Sequence, residues 1–339
     1  MRNILRFFAL NTNMHTVRFY LAQLLTIVFL SGILFAQQRG QGGRPPVRKH
    51  TTTEIGELKL IPANDKLPYK PQKTFKKSKN EIKVASNGIP EHKVGSFPSN
   101  RNPNKILEQS FEFLLPLHPK PALGPIPLHN DTGRGPPSTP FGIAINGVLF
   151  DPGTAEFHMG DRLTDWNYEA LSGAVLLGLD ANHGHVQPNG SYHYHGLPTG
   201  LLKNLGFNAR KHSPLVGYAM DGYPVYALYG YKDPQNPKSG IKKLTSSFRL
   251  KKGQRPNPPG GKHDGTFSKD YEYVDGAGDL DKCNGRFTVT DDFPNGTYAY
   301  FLTENWPVIP RYFKAKPLKL RGLKPPNQRV GGFRPNRRP

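Results

Sequence analysis

The chain has 339 residues and a net charge of +21, with 46 Lys and Arg against 25 Asp and Glu, 36 Gly, 34 Pro and a single Cys. This composition leaves room for a folded domain of ordinary size but not for a chain that packs throughout, and one thiol excludes an internal disulfide framework. Residues 141–313 contain equal numbers of basic and acidic residues, so the whole positive excess lies in the flanks. No basic run there is interleaved with aromatics and no nucleic-acid-binding motif appears, which argues against a specific nucleic-acid partner. The flanks read instead as solvated basic arms drawn to an anionic cell envelope or extracellular polymer.

Taken in chain order, the first predicted element is the apolar stretch after Arg18, "FYLAQLLTIVFLSGILFA", which ends at Ala36. Residues 1–36 read as a secretory signal peptide, with Met14 as the start that gives a more ordinary length. The expectation is a secreted or periplasmic protein. The stretch is near the lower limit of about 17 residues for a spanning helix, so an N-terminal membrane anchor is the alternative. Nothing suggests a multi-pass membrane protein. Residues 37–104, rich in Lys, Gly, Pro and Thr, are expected to be a disordered basic linker. A β domain is expected over 105–313, with its core at 141–313, and the Pro-rich, basic residues 314–339 read as a disordered tail.

Inside the domain, short runs of Tyr, Phe, Val, Ile and Thr bounded by Asn-Gly, Asp-Gly and Pro predict strands. "LTDWNYEALSGAVLLG", with Thr164 or Asp165 as a cap, predicts a helix, and "LPTGLLKNLG" a second, short one. The predicted class is mostly β, an antiparallel sandwich or barrel-like domain with one or two short helices. The chain also repeats itself: "GIAINGVLF" from Gly142 aligns with "GYAMDGYPV" from Gly217, and "PNGSYHYH" from Pro188 with "PNGTYAYF" from Pro294. Two motifs recurring in the same order predict an internal duplication.

"HGHVQPNGSYHYHG", residues 183–196, holds four histidines. In a strand, residues i and i+2 share a face, so His193 and His195 point one way and Tyr192 and Tyr194 the other. The Asn-Gly turn before them folds the strand back toward His183 and His185. In the second copy Tyr298 and Tyr300 keep the tyrosine positions while Ala299 and Phe301 replace the histidines. The tyrosines therefore read as structural and the histidines as a metal site. Imidazole clusters of this kind suit Cu(II) or Zn(II). The expected ligands are His183, His185, His193 and His195, with His212 as a further ligand and His158 behind it. Asp221 and Asp180 are candidate ligands or partners that orient the rings. Cys283 reads as a small buried side chain rather than a thiolate ligand.

These motifs resemble the YHYH-domain family. The resemblance spans about Phe141 to Phe313 and rests on "GLDANHGHVQPNGSYHYHG", "HSPLVGYAMDGYPVYALYGY", "DGTFSKDYEYVDGAGDLDKCNGRF" and "PNGTYAYFLTENWPVIPRYF". It implies an exported protein and supports the domain limits and the standing of His193 and His195, and it carries no activity with it. The expected function is an exported metal-binding protein, with metal-dependent hydrolysis or oxidoreduction as the chemistry such a site would allow. The alternatives are a non-catalytic binding module for an envelope or matrix polymer, and a hairpin whose histidines sense pH near 6.

Overall fold

The computed structural model describes residues 49–128 and 139–318. The expected signal peptide, the Met14 start, residues 37–48 and the C-terminal tail beyond residue 318 lie outside the described residues. Among those described, no helix is long and apolar enough to cross a membrane.

Strands β1 (Lys73–Lys77), β2 (Glu81–Ser86) and β3 (Phe111–Pro116) form a three-stranded antiparallel sheet, and β4 (Pro121–Pro127) follows. Then come β5 (Gly142–Ala144), β6 (Leu149–Phe150), β7 (Gly184–Val186) and β8 (Tyr192–Tyr194), the short helix α1 (Thr199–Asn204), β9 (Gly217–Ala219) and β10 (Pro224–Ala227). Two small antiparallel pairs follow, β11 (Tyr229–Tyr231) with β12 (Ile241–Lys243), and β13 (Phe248–Leu250) with β14 (Tyr271–Tyr273). The last strands are β15 (Gly285–Thr290), β16 (Phe293–Leu302) and β17 (Tyr312–Ala315), the last pairing antiparallel with β4.

The central sheet has eight strands in the order β15-β16-β10-β9-β5-β6-β8-β7 and stays open, with β15 and β7 as its edges. This order is the duplication made visible. Counted outward from the middle, one half runs β5, β6, β8, β7 and the other β9, β10, β16, β15. Pairing repeats as well: β6 lies parallel to β8 with Phe150 opposite Tyr194, and β10 lies parallel to β16 with Val225 opposite Tyr300. At the seam β5 and β9 are antiparallel, Ile143 opposite Tyr218, with Gly142 facing Ala219 and Ala144 facing Gly217. The glycine that opens each copy is required there, because a Cβ on Gly142 or Gly217 would strike the carbonyl of the facing strand.

Each half is also tied by an equivalent carboxylate, fully buried at Asp180 and half-buried at Asp281. Asp180 accepts hydrogen bonds from the Tyr192 hydroxyl and from the N–H groups of Asn182 and Gly184. Asp281 does the same with the Tyr298 hydroxyl and the N–H groups of Cys283 and Gly285. Tyrosine and aspartate hold the turn that leads into β7 and β15. The tyrosine positions are thus structural in both copies.

Two expectations fail. Residues 49–104 are not a disordered linker: β1 and β2 lie within them, and Ile82, Val84, Ile89 and Val94 are fully buried in the core that also holds Phe141, Ile143 and Tyr218. In "EIKVAS" apolar and charged residues alternate, so half the side chains face the core while the rest keep the local composition polar. Each such Ile or Val contributes roughly 1.5–3 kcal/mol by burial. The helix expected at 164–175 is also absent. Asp165 (φ 59°) and Gly173 (φ 69°) take left-handed backbone, and Phe157 and Tyr168 instead form isolated bridges with Asn167 and Phe267. Trp166, Tyr168, Val175 and Phe267 make a separate small core. The spacing that read as helical is that of a looped segment pinned at Glu169, whose carboxylate receives two hydrogen bonds from Arg311 and one from Trp306.

Candidate metal centre

Strands β7 and β8 form the expected antiparallel hairpin, and its register sets His185 directly opposite His193. His195 lies two residues beyond His193 on the same face. The Nε2 atoms converge, 2.9 Å from His193 to His195 and 3.0 Å from His195 to His185. The rings stand edge-on to one another with centroids 4.6–4.7 Å apart. His193 and His195 are buried and His185 is half-buried. Among the described residues this is the group of His, Cys, Asp or Glu side chains whose donor atoms are close enough to share one ion, all within 4.8 Å.

The outer nitrogens determine what the inner ones can do. His185 Nδ1 is 2.9 Å from the Leu177 carbonyl oxygen and His193 Nδ1 is 3.3 Å from that of Ser191. A ring nitrogen facing a carbonyl must carry the proton, so in the neutral rings both Nε2 atoms present bare lone pairs. His195 Nδ1 is buried and makes no hydrogen bond of good geometry, although the Pro152 carbonyl bears on the ring. Burial is the main cause that holds these rings neutral, pushing His185 down to about 3, with the neighbouring His193 adding to it. Burial does the same to His195, helped by His185 and His193, well below the ordinary imidazole value. A pH response of these two rings near pH 6 is therefore not what the structure provides. His195 Nε2 lies between the other two, so a proton there can be donated to His193 or His185, and a shared cation in its place would take lone pairs from all three rings.

The other predicted ligands lie elsewhere. His183 has a left-handed backbone (φ 54°), which breaks the alternation that would have aligned it with His185, and its Nδ1 bonds the Leu197 carbonyl at 2.8 Å. His212 packs against Tyr226, Tyr231 and Phe301, with Nδ1 on the Ser213 carbonyl. That is the second half of the sheet, against the residue that replaces His195. Asp221 also belongs to the second half, where it accepts from the Tyr300 hydroxyl at 2.5 Å and the Ala315 N–H at 3.0 Å. His158 lies in a bridge with His50 and against Phe267. Asp180 supports the hairpin from its tyrosine face rather than touching the imidazoles. Cys283 is buried as expected, and burial pushes its thiol up to about 12.

Sequence reasoning missed three supporting groups. Asp151 is buried, accepts a hydrogen bond from Gln187 Nε2 at 3.3 Å and biases His185 toward its charged form. Asn146 and His92 both reach the Tyr194 hydroxyl, at 2.8 and 2.6 Å. Asn146 was within reach of the repeat, since it occupies the place that Asp221 holds in the second copy. His92 was hidden in a segment whose composition suggested no fold.

A family model described as YHYH protein matches residues 112–315. No curated protein and no solved structure matches the chain.

Proposed function

From the premise that this chain belongs to the YHYH family, we propose that it is an exported metal-binding protein that holds one Cu or Zn ion on His185, His193 and His195. The observation that carries this reading is the convergence of three Nε2 atoms within a buried pocket whose outer nitrogens fix the tautomer of two of the rings. Three neutral nitrogen donors are a ligand set that suits these ions. Without a cation a single proton on His195 Nε2 serves two facing acceptors in a desolvated site, which favours exchange of that proton for an ion.

An ion held by three imidazoles keeps a further position for water or substrate, the chemistry of metal-assisted hydrolysis for zinc and of electron transfer for copper. The chain's own residues do the positioning. The Leu177 and Ser191 carbonyls orient two rings, Asp180 and Tyr192 hold the hairpin, and the Tyr194 hydroxyl locks the opposite face. Export and attraction of the basic arms to an anionic envelope complete the reading; both rest on the sequence flanks. Metal content settles the central part. Protein purified without a histidine tag should hold about one equivalent of copper or zinc, and His193→Ala/His195→Ala should hold none. Absence of metal from the wild type, even after reconstitution with each ion, would overturn it.

A further inference from the structure

The histidine face carries a charged side chain on the strand next to the cluster. Strand β6 runs parallel to β8 with Leu149 opposite His193 and Phe150 opposite Tyr194, and residues opposite one another in paired strands share a face of the sheet. The Phe150 and Tyr194 rings, with centroids 5.8 Å apart, lie together on the tyrosine face. Asp151 continues this path, its N–H donating to the Tyr194 carbonyl, so alternation returns its side chain to the face of Leu149, His193 and His195. Gln187, two residues beyond His185, stands on that face as well.

The sheet order β6-β8-β7 puts the strand of His193 between Asp151 and Gln187. Gln187 Nε2 nevertheless donates to the Asp151 carboxylate at 3.3 Å, a hydrogen bond that closes across the side chains of β8. The carboxylate is thereby drawn toward the cluster. Its charge reaches His185, two strands away, more strongly than that of Asp180 does. Asp151 is not among the residues whose donor atoms gather within 4.8 Å, so it acts as a fixed negative charge beside three neutral donors. The other charges near the rings do not offset it: Arg311 bears on His195 but is paired through two hydrogen bonds with Glu169, and Asp180 acts from the tyrosine face.

On the reading that the three imidazoles hold an ion, we propose that Asp151 makes the site selective for a doubly charged ion, Zn(II) or Cu(II), over Cu(I). Imidazole by itself suits zinc and copper alike. Coulomb attraction to a nearby carboxylate doubles with the charge of the ion, and soft Cu(I) draws its affinity from sulfur rather than oxygen. Copper at this site is held in its oxidised state, which turns the centre away from shuttling electrons and toward the chemistry of a divalent Lewis acid.

Chelator-competition titrations of the full chain measure the affinities for Zn(II), Cu(II) and, without oxygen, Cu(I). Asp151→Asn keeps the shape of the side chain and an oxygen that accepts from Gln187. It should weaken both divalent ions about tenfold or more, and a tenfold loss there corresponds to about threefold for Cu(I), because half the charge carries half the Coulomb energy. Asp151→Glu, which keeps the charge, should retain most of the preference. Gln187→Glu, at a half-buried position, adds a second carboxylate and should widen the preference, which keeps the test intact if Asp151→Asn fails to fold. Equal losses for all three ions, or a ratio of divalent to Cu(I) affinity that moves in neither charge-changing variant, would overturn the proposal. A wild type that binds none of the ions would instead overturn the metal reading on which it rests.

Discussion

His193 Nε2 lies 2.9 Å from His195 Nε2, two residues along one strand, and His195 Nε2 lies 3.0 Å from His185 Nε2 on the facing strand, an arrangement in which one ion could take a nitrogen from each ring. Metal should therefore stabilise the fold as well as occupy it. A ligand at 100 times its dissociation constant adds about 2.7 kcal/mol, which for a domain of this size is a rise of about 5–10 °C in the thermal midpoint. Scanning the chelated protein with and without added zinc or copper measures this. His195→Ala should show no rise with either ion.

Tyr192 and the histidines beside it should separate by phenotype. Tyr192→Phe removes a hydroxyl donated to Asp180 at 2.9–3.0 Å, leaving a buried carboxylate short of a donor at a cost of about 1–3 kcal/mol. Denaturant unfolding should record that loss while elemental analysis finds the metal retained. A variant that kept its stability and lost its metal would contradict the division of labour between the two faces.

Asp221 gives a pH signature with a definite sign. Burial raises its carboxyl to about 6, so the folded protein holds this proton more tightly than the unfolded chain. Its contribution is present below the ordinary carboxylate pKa and is lost as pH rises through about 6. The stability difference between wild type and Asp221→Asn should therefore shrink by about 2 kcal/mol between pH 4 and pH 7. A gap that stays constant or widens with pH would refute the assignment.

Residues 49–104 belong to the folding unit. Ile82→Ala should cost about 2–5 kcal/mol in urea unfolding, the range for a fully buried side chain, and a chain beginning at residue 105 should lack a cooperative transition. A chain from residue 105 that unfolded as sharply as the full protein would show that the segment only decorates the surface.

What the sequence disclosed and what it hid follow from one physical difference. The duplication, the hairpin and the pairing of His193 with His195 were legible because strand alternation and Asn-Gly turns act over a few residues. Ala299 and Phe301, at the equivalent positions of the second copy, act as an internal control. His183 was misplaced because a single left-handed residue reverses the alternation, and nothing in "NHGH" announces it. The spans 49–104 and 164–175 were misread because their order comes from partners far along the chain: Tyr168 donates its hydroxyl to the Thr52 carbonyl, 116 residues away, and Arg311 pairs with Glu169 across 142. Local composition carries no trace of such contacts.

The seam between β5 and β9 has a further meaning. Its register, Gly142 to Ala219, Ile143 to Tyr218 and Ala144 to Gly217, is the self-complementary contact that two identical subunits make about a two-fold axis. In a homodimer every substitution is made twice, so a histidine cluster in one subunit would force an identical cluster in the other. Joining the halves in one chain lifts that constraint. One half was free to collect imidazoles while the other kept an arginine and a phenylalanine, so asymmetry of chemistry became possible on a scaffold whose backbone remained symmetric.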